Sequence, residues 1–100
     1  MKLREKCKTV TFSKHSVQQM FSRSITKSDI ISSLERGEVI IEYLDKKPLP
    51  CYLILNYIYE KPIHIVVTVD QIKESCIIIT AYMPEITSWE KDFKSKRKSK

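Results

Sequence analysis

His15 and His64 are the only two histidines in the chain, and imidazole is the side chain whose ordinary pKa lets it move a proton near neutral pH. Arg23 supplies a planar guanidinium able to hold a phosphate, or the charge of its transition state, through two bonds. Thr80 and Tyr82 add hydroxyls near the end of an apolar stretch. A metal-independent ribonuclease needs these parts: a base for the 2′-hydroxyl, an acid for the leaving oxygen and a cation for the phosphoryl group. Each residue also has a plainer use. A strand histidine satisfies a backbone group. A histidine in a first helical turn sits at the surface. An arginine is solvated or pairs with a nearby carboxylate, here Asp29. Threonine and tyrosine are ordinary strand residues.

The elements that must position these side chains are legible. Lys8–Phe12 alternates polar and apolar and reads as a short strand. Ser13 reads as an N-cap with Phe12 and Val17 as its hydrophobic staple, and Val17, Met20 and Phe21 form a helical stripe. Thr26-Lys27-Ser28-Asp29 has the form of a capping box, flanked by Ile25 and Ile30. The single glycine, Gly37, follows Arg36 and is expected to end that helix in a left-handed conformation. Helices are therefore predicted over 13–23 and 26–36.

From Glu38 the period changes to two. Strands are predicted over 38–44, 51–59, 63–70 and 75–83. Short connections make them an antiparallel meander. The fold class is α+β: two N-terminal helices on a four-stranded antiparallel sheet, with a possible extra N-terminal strand. Ile63, Ile65, Val67 and Val69 form an all-aliphatic face for the helices, so His64 points the other way. Cys76, Ile78, Thr80 and Tyr82 share one side of the last strand in this reading. A hairpin centred near residue 72 places His64 opposite Thr80, with Tyr82 on the diagonal. Trp89–Phe93 is expected to add a short turn.

The net charge of +6 resides in the ends. Residues 1–8 carry +3, residues 9–93 carry −2 and residues 94–100 carry +5. The domain organisation expected is a basic arm over 1–8, one globular domain over 9–93 and a disordered basic tail over 94–100. Lys94, Lys96, Arg97, Lys98 and Lys100 are candidate contacts to phosphate backbones, or solubilising charges. Cys7, Cys51 and Cys76 show no C-x-x-C and no zinc spacing, so no metal or cofactor is expected. Cys76 reads as a small core residue, and a reducing cytoplasm as the compartment. One glycine in a hundred residues excludes glycine-rich phosphate loops. No apolar run is long enough for a membrane helix, and no secretory signal is expected.

As an ordered set, several pieces resemble a family of small prokaryotic domains of unknown function. They are Phe12-Ser13-Lys14-His15, Met20, Arg23, Ile25-Thr26, Asp29-Ile30, Gly37-Glu38-Val39-Ile40, Tyr43, Pro62-Ile63-His64-Ile65-Val66-Val67, Ile78-Ile79-Thr80-Ala81-Tyr82 and Pro84. That family has been grouped, by remote similarity, with the RelE-like and barnase-like ribonuclease toxins. The resemblance implies two helices on an antiparallel sheet and RNA cleavage as the activity, with His15, Arg23, His64, Thr80 and Tyr82 at favoured positions. It further implies a toxin–antitoxin setting, with RNA or the ribosome as target and an antitoxin over the open sheet face. Gln19 departs from an arginine in the family pattern, and Ser24 from a glycine. The alternative is a non-catalytic module that binds protein or nucleic acid.

Overall fold

The computed structural model describes residues 3–97. A 3-10 turn, Leu3–Lys6, leads into strand β1 (Thr9–Phe12). Helices α1 (Lys14–Ser22) and α2 (Lys27–Arg36) follow, then strands β2 (Glu38–Tyr43), β3 (Cys51–Ile58), β4 (Lys61–Asp70) and β5 (Ser75–Tyr82). The sheet order is β1-β5-β4-β3-β2. The last four strands form the expected antiparallel meander. The expectation of a four-stranded antiparallel sheet needs correction: the sheet has five strands, and β1 pairs parallel to β5. Alternation marks a strand but does not name its partner, and β1 finds its own across almost the whole chain.

Both helix starts are capped as expected. The Ser13 Oγ accepts from the Ser16 N–H at 3.0 Å, and its own O–H donates to the Ile79 carbonyl at 2.9 Å, tying α1 to β5. Thr26 and Asp29 exchange two 3.0 Å bonds, each accepting from the other's backbone N–H. Ile25 and Ile30 beside this box are both buried. The stripe expected on α1 is only partly inward. Met20 is buried, while Val17 and Phe21 are exposed, Phe21 at 88%. Ser16 takes the inward place, because its hydroxyl closes onto the Ser13 carbonyl at 2.8 Å and removes the cost of burying it.

Gly37 does not adopt the left-handed turn expected of it; its φ is −71° and its backbone is extended. A glycine is needed there for space. A Cβ would sit 2.5 Å from both the Ile54 Cγ2 and the Ser33 carbonyl oxygen. The left-handed position after α1 is filled by Ser24, at φ 57°.

The main core lies between the helices and one sheet face. Met20, Ile25, Ile30 and Leu34 meet Ile54, the aliphatic face of β4, and Cys76, Ile78 and Ala81. Cys7 and Cys76 are joined in a disulfide with Cα atoms 5.2 Å apart, and Cys51 is free. Cys76 is therefore a core residue, as expected, but not an unpaired thiol. The bond straps the N-terminal turn to β5, where Leu3 is also buried. Among the described residues no helix is long and apolar enough to cross a membrane.

Candidate functional site

His64 lies on the sheet face away from the helices, as its alternation predicts. Its partner there differs from expectation. Val66 pairs with Thr80 but Val67 pairs with Ile78, so Ile79 is an extra residue in β5. The bulge shifts the side-chain parity of the strand. Cys76 and Ile78 face the helices, whereas Thr80 and Tyr82 face the other way. Tyr82, not Thr80, is directly opposite His64, with Leu55 opposite on the other flank.

Around His64 this face is covered. Residues 84–97 run back across it through a series of turns. Trp89 N–H donates to the Glu85 carbonyl at 3.0 Å, Phe93 to Glu90 at 2.8 Å and Arg97 to Ser88 at 2.9 Å. The indole of Trp89 meets the His64 ring edge-on, with centroids 4.4 Å apart. Leu53 and Leu55 are buried here but stand outside the helix-side core, so the covering segment creates a second, smaller apolar cluster. An ion pair between Lys94 and Glu38, 3.0 Å long, fastens the segment to β2.

His64 has 0% exposure, and both ring nitrogens are occupied. Nε2 lies 2.8 Å from the Phe93 carbonyl, and Nδ1 lies 3.2 Å from the Tyr82 hydroxyl. A carbonyl only accepts, so Nε2 carries the hydrogen and Nδ1 accepts from Tyr82. Burial holds the imidazole pKa below its ordinary value, opposed in part by the bond to Phe93. Burial likewise raises the Tyr82 phenol, with Tyr43 adding to the rise. The pair is a neutral hydrogen-bonded unit, with His64 fully buried and Tyr82 half-buried.

The other candidates are elsewhere. His15 is exposed in the first turn of α1. Arg23 is exposed at the end of α1 and bonds to Gln19 Oε1 and to the Ser22 hydroxyl, not to Asp29. The glutamine that departs from the family pattern is thus a partner of this arginine. Thr80 shares the face of His64 two positions along the ladder, opposite Val66. Among the basic residues of the last stretch, Lys94 pairs with Glu38 and Arg97 pairs with Glu90 at 3.6 Å. The Lys96 ammonium stands 5.9 Å from the Trp89 ring centre. Lys98 and Lys100 lie outside the described residues. Trp89 and the Phe93 carbonyl were not legible as partners of His64. The one available signal was the chain's single tryptophan in an otherwise polar stretch.

The class defined by this architecture is a small α+β domain with two helices on one side of a mixed five-stranded sheet. The chain belongs to a family described as a domain of unknown function, DUF4258, whose model matches residues 12–83. No curated protein and no solved structure matches it. Cys7 and the covering segment after Met83 both fall outside the matched stretch.

Proposed function

We propose that the chain, as folded, is a non-catalytic module that binds protein or nucleic acid. The observation that carries this reading is the sealed state of His64: no exposed surface, and both nitrogens spent on Tyr82 and Phe93. A general acid or base must reach its proton directly or through one water, and this imidazole reaches neither. His15 and Arg23 stand at the two ends of α1, on the helix side of the sheet, whereas His64 faces the opposite side, so the two imidazoles do not share one phosphate. The test is an RNA cleavage assay, with and without ribosomes, on the wild type and His64→Ala. Background RNA loss in both is expected. Cleavage by the wild type that disappears in His64→Ala overturns the reading.

A second reading is a RelE-like, metal-independent endoribonuclease acting as the toxin of a toxin–antitoxin pair in the cytoplasm. It is favoured by the directly opposed His64 and Tyr82, and by the position of the segment that hides them, beyond the family-matched stretch. In this reading residues 84–97 leave the sheet, RNA or the ribosome takes their place, and an antitoxin covers the same face at rest. Trp89→Ala separates the two readings, because it removes the indole packed on the His64 ring and loosens the cover while leaving His64 and Tyr82 themselves in place. Cleavage gained in Trp89→Ala and lost again in Trp89→Ala/His64→Ala selects the endoribonuclease. No cleavage in either selects the binding module.

A further inference from the structure

A second concavity lies at the end of the sheet where β3 turns into β4. It is a cavity of about 160 Å³ between that hairpin and the connection from α1 to α2. Ile25, Ile58 and Ile63 form an apolar floor, and Arg23, Lys61 and Tyr59 stand among its other lining residues. The backbone around it is unusual. Tyr59 and Glu60 are the two turn residues of the hairpin, with φ of 50° and 68°. Two-residue turns of this kind favour Asn-Gly, because both positions need a left-handed conformation. Ser24 on the facing wall is left-handed as well, at 57°. Strain of this kind persists where the surrounding structure holds it, and it clusters at ligand sites. Burial does not account for the tyrosine here, since its side chain is 92% exposed.

Resting on the binding-module reading, we infer that this cavity is a site for one nucleotide unit of single-stranded RNA. Tyr59 presents a free aromatic face, and stacking on such a face is how single strands are held without sequence readout. Arg23 and Lys61 supply two cations for the flanking phosphates, and Arg is suited to hold one of them through two bonds. The apolar floor accepts the edge of a base. Asp29 also lines the cavity. One of its carboxylate oxygens accepts from the Thr26 N–H at 3.0 Å. The other accepts no hydrogen bond among the described residues. An acceptor on the cavity wall can take a bond from a sugar hydroxyl, which favours RNA over DNA. The site owes nothing to His64, which is buried on the far face of β4.

The experiment is fluorescence anisotropy of the full chain with a labelled eight-nucleotide single-stranded RNA and its DNA counterpart. Tyr59→Gly is the decisive variant, because glycine takes a left-handed φ without strain while removing the ring. It is expected to weaken RNA binding roughly ten-fold, the scale of one lost stacking contact, while the melting temperature holds or rises. Arg23→Gln and Lys61→Gln are each expected to weaken binding and to flatten its salt dependence. Unchanged affinity in all three variants overturns the inference, as does the absence of RNA binding. If binding survives these variants but is lost on removal of residues 94–100, the site is wrong and the module reading stands. If His64-dependent RNA cleavage is found instead, the module reading falls, and the three variants still decide the site.

Discussion

A buried imidazole with both nitrogens engaged couples protonation to folding, and His64 is such a group. Its folded pKa is lowered, chiefly by burial, while in the unfolded chain the imidazole titrates at about 6.5. Between those two values the unfolded state binds more protons than the folded one. The stability His64 contributes is therefore complete above about pH 6.5 and is lost as pH falls toward the lowered folded value. Urea midpoints should fall between pH 7 and pH 5.5 in the wild type (roughly the window set by the free imidazole). The slope should flatten in His64→Gln. A pH-independent midpoint in the wild type would contradict the sealed arrangement. The outward facing of His64 was legible from alternation. Its partner was not: the β4–β5 hairpin pairs Asp70 with Ser75, one position off the expected register, and the bulge at Ile79 adds a second, so Tyr82 stands where Thr80 was expected.

The α2–β2 junction shows how a correctly chosen residue can act through a different cause. Gly37 ends the helix as its position suggests, and its N–H donates to the Ser33 carbonyl at 2.8 Å. Yet its φ is ordinary for any residue, and the need is for space against Ile54 and Ser33. One of those contacts is backbone, so a methyl group cannot be accommodated by a side-chain rotation alone. Gly37→Ala should lower stability by about 1–3 kcal/mol, the usual cost of overpacking. Chemical denaturation measures it, and a neutral or stabilising result would show that the space is not limiting and that helix propensity governs the site. Caps were readable because they depend on residues three apart in sequence. The orientation of α1 was not: Val17, Met20 and Phe21 satisfy a helical stripe, but its placement beside β5 buries Ser16 and Met20 instead.

Two long-range closures shape the molecule. β1 and the Cys7–Cys76 disulfide bind the N-terminal segment to β5, and residues 84–97 bind the C-terminal segment across the opposite face of the sheet. The disulfide joins residues separated by 69 positions. Closing a loop of that size stabilises mainly by restricting the unfolded chain, and losing it costs about 2–5 kcal/mol. Thiol titration of the native, unreduced protein should find one reactive group at most, Cys51, rising to three after reduction and unfolding. Dithiothreitol, or Cys7→Ser/Cys76→Ser, should lower the urea midpoint accordingly. Three thiols in the unreduced, unfolded protein would return the chain to the reducing setting its cysteine spacing suggested.

Two capped helices, a meander of four strands, a short leading strand and the outward facing of His64 were all readable from the residue order. These follow from interactions a few residues long, namely caps, staples, turn chemistry and side-chain alternation. The parallel β1–β5 pair, the Cys7–Cys76 bond, the bulge that helps set Tyr82 against His64, and the return of Trp89 and Phe93 over that pair emerge only in the folded chain. Each of these joins residues brought together by the packing of whole elements. A strand edge, a thiol or an imidazole nitrogen accepts many partners equally well, and the assembled shape selects which one arrives.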